Sequence, residues 1–269
     1  MKRILLAAVL CGPVPAAAAE LPPAIAAKSA ITVAIVPNYP PLEFRDPATG
    51  ALTGFDVELG EALGRKLGLK IVWQETSFDQ MLPAVTTGRV DAILSGMTDL
   101  ATRHEATTFV DYLRSGPAFF VQQSRAAEFA DMSALCGKNV GASRRTSFPK
   151  EIAAWSEAHC SGNPINVVGT EGSADARTQL KQGRMDAAVQ GNETLPYVMA
   201  QEPKAYKTLG GPIATQFTGI AVPVKEAGLQ QALVGALDAV IADGTYKALL
   251  AKWQLSDNGV EKATVNAGQ

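Results

Sequence analysis

The nine residues at 88–96, GRVDAILSG, return almost intact at 183–191 as GRMDAAVQG. Gly, Arg, Asp, Ala and the closing Gly keep their offsets. In each copy a run with helical periodicity precedes the first glycine and an apolar run follows the aspartate. Glycine after such a run is a helix stop, and a short apolar run after the stop is a strand entering a sheet. The chain therefore builds one helix, stop and strand unit twice, and that unit belongs to an α/β fold.

The surroundings of both copies repeat the same grammar. Strands are expected at 31–36, 69–73 and 90–94, with helices at 54–68 and 78–87 between them. A second set follows, with strands at 139–142, 165–168 and 185–189 and helices at 147–158 and 173–182. Each set reads as an open, mostly parallel sheet flanked by helices. The tail, with a strand at 218–224 and helices at 228–242 and 245–253, repeats neither set. It most simply completes the first lobe. That gives lobe 1 at 20–121 plus 218–269, lobe 2 at 122–217, and two hinge crossings, near 119–124 and 214–220. Residues from about 257 onward are polar and expected to be mobile.

The N-terminus carries an export signal. Lys2 and Arg3 precede a short apolar run at 4–10, and Ala17-Ala18-Ala19 offers a cleavage site before Glu20, so residues 1–19 are expected to be removed. Cys11 is preceded by Leu10, where a lipidation signal needs a small residue. Cleavage removes two of 24 basic residues and none of 26 acidic ones, leaving 22 against 26 and a net charge of −4. That balance argues against a nucleic-acid or anionic-membrane binder. Cys136 and Cys160, an even pair in an oxidising compartment, read as a disulfide, with two buried free thiols as the alternative. His104 and His159 are the only histidines, so neither a zinc site nor a Ser-His-Asp triad has much to draw on. No metal or cofactor is expected.

Open α/β sheets bind ligands beyond the C-terminal ends of their strands. That rule selects 38–44 after the first strand, then Ser95, Gly96 and Thr98 with Arg103 close behind after the third. In the second lobe it selects 143–147 at a helix head, and 190–193. These groups suit a small anion: a guanidinium binds a carboxylate bidentately, hydroxyls add donors, and a helix N-terminus supplies free N–H groups. Tyr39 and Phe78 offer apolar walls. Taken singly, Arg103 is more often a solvated arginine and Phe78 more often core; their joint placement at strand ends is what favours a site.

These stretches resemble the periplasmic solute-binding proteins of ABC importers for polar amino acids, family 3. Gly54-Phe55-Asp56-Val57-Glu58-Leu59, with Leu63, Gly64 and Leu67, matches the family's signature helix. Tyr39-Pro40-Pro41-Leu42-Glu43-Phe44, Gly88-Arg89-Val90-Asp91-Ala92, Ser95-Gly96-Met97-Thr98 and Arg103 are similar to further motifs, and Asp243-Gly244-Thr245 with Lys252-Trp253 to its C-terminal helix pair. The resemblance implies a two-lobed, type II periplasmic-binding-protein fold that closes on its solute, works as a monomer in the periplasm, and hands the solute to membrane permease subunits. It further implies that Arg103 clamps an α-carboxylate and that Ser95, Gly96 and Thr98 contact carboxylate and amino groups. Thr146 and Ser147 would form the second-lobe pair at the helix head, and Tyr39 and Phe78 would sandwich the ligand side chain.

Three departures bear on the ligand. Arg145 stands where the family has Gly, and Ala101-Thr102 where it has Pro-Glu. Gly191 stands where the family has the Asp that binds the α-ammonium. An ammonium buried without a counter-charge costs several kcal/mol. Either Glu193 replaces that Asp and the ligand is an α-amino acid, or the ligand lacks a free α-ammonium and is another small carboxylate. In the second case Arg145 would favour a further anionic group. An enzyme on the same fold, a secreted dehydratase similar to cyclohexadienyl dehydratase, is the alternative from another class, with Glu43 or Glu193 as its acid.

Overall fold

The computed structural model describes residues 21–269. The expected leader at 1–19, with Cys11, lies outside them. The chain begins with α1 (Pro23–Lys28) and β1 (Ala30–Ile35), followed by a small antiparallel sheet of β2 (Asn38–Tyr39), β3 (Glu43–Arg45) and β4 (Leu52–Thr53). Then come α2 (Phe55–Leu67), β5 (Lys70–Glu75), α3 (Phe78–Thr86), β6 (Ala92–Ile93) and β7 (Thr107–Ser115). The middle of the chain runs β8 (Pro117–Gln122), β9 (Asn139–Ser143), α4 (Phe148–His159), β10 (Asn166–Thr170), α5 (Ser173–Lys181), β11 (Ala187–Gly191), α6 (Leu195–Gln201) and β12 (Tyr206–Leu209). The last part adds β13 (Gln216–Pro223), α7 (Ala227–Ala242), α8 (Thr245–Lys252) and β14 (Thr264–Val265).

Two sheets result. The larger has the order β14-β7-β13-β6-β1-β5 and the smaller β10-β9-β11-β8-β12. Each is parallel only in the half built from the repeated units, where β1 pairs β5 and β6, and β9 pairs β10 and β11. The other half of each sheet is antiparallel. The expectation of mostly parallel sheets overlooked β7, β8, β12 and β14. β7 and β8 follow one another through Gly116, which leaves no helical crossover between them.

The chain changes sheet at Gly116 and returns between Leu209 and Gln216. The first change therefore precedes the stretch 119–124 expected from sequence, because the apolar run Pro117–Gln122 pairs at once with β11. The two crossing segments lie against each other. A Cβ on Gly116 would stand 2.1 Å from the Ala214 carbonyl oxygen, so only glycine admits this approach.

The repeated segments perform the same work in both sheets. Gly88 and Gly183 adopt left-handed φ values of 76° and 69°, as a glycine helix stop requires. The next N–H reaches back into the helix, Arg89 to the Ala84 carbonyl (2.9 Å) and Arg184 to the Gln179 carbonyl (3.0 Å). Each aspartate then docks on the first strand of its unit. Asp91 gives its N–H to the Thr32 carbonyl and accepts the Thr32 N–H on Oδ2 (both 2.8 Å). Asp186 does the same with Asn139, at 2.9 and 3.0 Å.

Helix α2 buries Phe55, Leu59, Ala62 and Leu63 against the larger sheet, and Gly64 lets it settle on the start of β5, where a Cβ would lie 2.7 Å from the Leu69 carbonyl oxygen. The smaller sheet packs Phe119, Val140, Ala187 and Val189 against Ile152 of α4. Cys136 and Cys160 form a disulfide that ties the turn before β9 to the end of α4. The C-terminal residues depart from the expectation of mobility: β14 pairs with β7 and closes the edge of the larger sheet.

Replacing Asp186 with Ala removes its hydrogen bond to the exposed Asn139 N–H and its ion pair with Arg125. The expected loss is about 0.5–1.5 kcal/mol, since water can replace part of both contacts, read as a lowered urea midpoint.

Candidate functional site

A cleft of about 570 Å³, open to solvent, lies between the two sheets. One wall comes from the strand ends of the larger sheet: Val36, Asn38, Tyr39, Glu43, Ser95, Gly96, Thr98 and Arg103, with Phe78 from the head of α3. Ser143, Thr146 and Phe148 at the head of α4, and Glu171, Gly172 and Ser173 at the head of α5, form the other. Seven residues expected from sequence meet here: Tyr39, Phe78, Ser95, Gly96, Thr98, Arg103 and Thr146. Ser147 and Glu193 do not reach the lining.

Arg103 is half-buried on the short turn Ala101–Arg103. Its Nη1 donates to the Thr98 carbonyl (2.5 Å), and among the described residues no carboxylate forms an ion pair with it. Burial lowers its pKa to about 10, which still leaves it charged at neutral pH. A desolvated cation without a carboxylate partner, facing a cleft, is suited to an anionic ligand.

The floor beside it is acidic. Glu43 is buried, with Oε1 accepting the Ser95 hydroxyl (2.9 Å) and the Asp56 carboxyl beside it. Burial, with the neighbouring Asp56 carboxyl, raises its pKa well above the usual carboxylate range. Asp56 accepts the Tyr112 hydroxyl (2.8 Å to Oδ2) and the Gly96 N–H (2.8 Å). Burial raises it to about 6. Burial and the neighbouring carboxyl make Glu43 harder to ionise, and through Ser95 and Gly96 the pair fixes the strand-end loop of the cleft. The Ser95 hydroxyl also accepts the Val36 N–H, so it serves the wall rather than a ligand.

Glu193 lies at the far side of Tyr39. The Tyr39 hydroxyl donates to Oε1 (3.0 Å) and accepts the Gly191 N–H (3.1 Å), while Ser115 donates to Oε2 (2.6 Å). A Cβ built on Gly191 would stand 2.0 Å from Glu193 Oε1. The glutamate carboxyl thus fills the volume that a side chain at 191 would take, and a glycine there is what makes room for it. Burial raises the Glu193 pKa.

Other contacts join the lobes. Arg145 does not face the cleft floor as a second anion site would; its guanidinium pairs with Asp79 of α3 at 2.5 Å. Ser147 Oγ donates to Gln216 on the returning strand (3.0 Å), whose amide donates to Glu151 (3.2 Å). The residues sequence reasoning missed include Glu171, Gly172 and Ser173. They stand just beyond the C-terminal end of β10, so the strand-end rule would have found them had it been applied to the second strand of this lobe as well. Phe148 was read as an ordinary helix residue, and nothing in its spacing marks it otherwise.

A family model for bacterial extracellular solute-binding proteins, family 3, matches residues 31–256. The chain belongs to this family. The solute-binding protein is 29% identical to the L-arginine-binding protein of Pseudomonas aeruginosa, over 86% of this chain and 90% of the relative. It is 27% identical to the histidine-binding periplasmic protein of Salmonella typhimurium, over 83% and 86%. Among solved structures, an ancestral arginine-binding protein bound to arginine superposes with a TM-score of 0.74 at 28% identity, covering 84% of this chain and 98% of the other. These relatives are binding proteins, and the two-lobed fold of the solute-binding protein is theirs.

The buried acids set a pH dependence. Glu43, Asp56, Glu193 and Asp111, the last raised to about 7 by burial, all bind their protons more tightly folded than unfolded. Stability is then lost as pH rises from the unfolded carboxylate range near 4 through about 6 for Asp56 and about 7 for Asp111. The urea midpoint is expected to be higher at about pH 5 than at about pH 8. Asp111→Asn should flatten the part of that fall ending near pH 7; an unchanged profile would contradict the assignment.

Proposed function

We propose that this solute-binding protein is the exported, periplasmic binding component of an ABC importer and that its solute is an α-amino acid. The carboxylate goes to Arg103 and Thr98 from the first lobe and to the helix heads at Thr146 and Ser173 from the second. The α-ammonium goes to the acidic floor, where Glu43 faces the cleft and Glu193 backs Tyr39. The ligand side chain lies between Tyr39 and Phe78. Closure is a hinge motion about the paired crossings at Gly116 and Ala214.

The observation that carries this reading is the charge pattern of the lining: an arginine with no ion-pair partner among the described residues, together with the buried acid Glu43. A zwitterion complements both. The relatives named for arginine and histidine, and an ancestral protein crystallised with arginine, agree with an amino acid as the solute. A second reading, a carboxylate without an α-ammonium, is favoured by one fact: Glu193, the acid nearest position 191, is already engaged by Tyr39 and Ser115. The dehydratase alternative has no such support, since the relatives are binding proteins.

Calorimetric titration with L-arginine, L-histidine and L-glutamine, and with the same acids lacking the α-amino group, separates the two. An amino acid is expected to bind at least about tenfold more tightly than its deaminated analogue, the worth of the ammonium's charge-assisted hydrogen bonds to the acidic floor. Arg103→Ala should weaken binding by a similar factor. Equal tightness for both series would sink the amino-acid reading.

A further inference from the structure

The family match ends at residue 256, and the structure gives the residues beyond it a definite place. After β14 the backbone turns under the loop that carries Arg103. Asn266 exchanges two hydrogen bonds with Phe109, its N–H to the Phe109 carbonyl (3.1 Å) and its Oδ1 from the Phe109 N–H (2.8 Å). The Ala267 N–H and the Thr264 hydroxyl donate to Asp111 Oδ2 (both 3.1 Å). The Gly268 N–H donates to Asp99 Oδ2 at 2.7 Å. The tail therefore brings three donors to two buried carboxyls, Asp99 and Asp111, that otherwise face each other.

Asp99 is the base of the clamp loop. Its N–H holds the Phe217 carbonyl on β13 (2.8 Å), and its Oδ1 takes the His104 ring. Thr98, the residue before it, lines the cleft and supplies the carbonyl that Arg103 Nη1 holds. The loop closes on Thr107, whose hydroxyl donates to the Arg103 carbonyl (2.9 Å). Position 268 also needs its glycine. A Cβ there would lie 2.1 Å from the Asp99 carbonyl oxygen and 2.6 Å from its carbon, backbone atoms that cannot swing aside.

We propose that residues 264–268 are a positioning strap for the binding site: by donating to Asp99 and Asp111 they set the 98–104 loop from beneath and so hold Arg103 at the cleft. The proposal rests on Arg103 being the carboxylate clamp. In the absence of the strap, two buried carboxyls lose their donors and repel, and the loop between Thr98 and His104 loses its anchor. The strap lies beyond the residues that the family model matches.

Two variants test it, a truncation after Ala263 and Gly268→Val. The second leaves β14 in place, in case the first exposes the edge of β7. The ligand-free readout is hydrogen–deuterium exchange. Amides at 95–106 are expected to exchange about tenfold faster or more in both variants, with amides at 139–170 in the other sheet unchanged. The second readout is calorimetry with L-arginine and L-glutamine, where affinity should fall about tenfold while the lobes stay folded. Unchanged exchange at 95–106 overturns the strap, as does acceleration spread evenly over both sheets. Faster exchange with unaltered affinity for an amino acid that the parent protein binds overturns the link to Arg103. If the parent protein binds neither probe, the amino-acid reading fails instead, and the exchange data alone decide the strap.

Discussion

Three carboxyl groups, Glu43, Asp56 and Glu193, are buried beside one cleft, and among the described residues no lysine or arginine forms an ion pair with any of them. Burying acids in this way is costly unless they are protonated or hydrogen-bonded. The structure uses both remedies. Tyr112, Gly96, Ser95, Tyr39 and Ser115 supply the donors, and burial beside Asp56 pushes Glu43 towards its protonated form. The geometry of the cleft wall follows from this network, because Ser95 and Gly96 are each held by one of its carboxyls. So does contact between the lobes, since Tyr39 and Glu193 come from opposite sides of the cleft. Among the described residues that line the cleft, Arg103 is the one cation.

The architecture was legible where local chemistry determines it. The glycine stops, the aspartates after them and the helix faces belong to short segments whose roles do not depend on distant contacts. The twin GR-D-A segments show this most clearly: Asp91 and Asp186 make the same pair of bonds to Thr32 and Asn139. The wall from Tyr39 to Arg103 was legible for the same reason, since strand ends converge on the cleft whatever lies between them.

What sequence reasoning missed depends on non-local partners. β7, β8 and β12 carry no periodicity that distinguishes them from buried turns until their ladders are seen. Position alone offers Glu193 as one of two answers to the counter-charge missing at Gly191. The actual partners of Glu193, Tyr39 and Ser115, are 154 and 78 residues away. Arg145, which would favour a further anionic group only if the ligand lacks an α-ammonium, pairs with Asp79 of the other lobe. The tail looked loose because it is polar, yet polarity is what two buried aspartates require of it.

The central claim is that the acidic floor receives an ammonium group while Arg103 receives a carboxylate. Burial beside Asp56 favours the protonated form of Glu43 in the free cleft, and a cation arriving beside it favours the carboxylate form. Binding an α-amino acid should therefore release protons. Calorimetry of one amino acid in two buffers of different ionisation enthalpy, at about pH 6.5, measures this directly. The account predicts a binding enthalpy that depends on the buffer, corresponding to release of a substantial fraction of one proton and lost in Glu43→Gln. Tight binding with the same enthalpy in both buffers would contradict it.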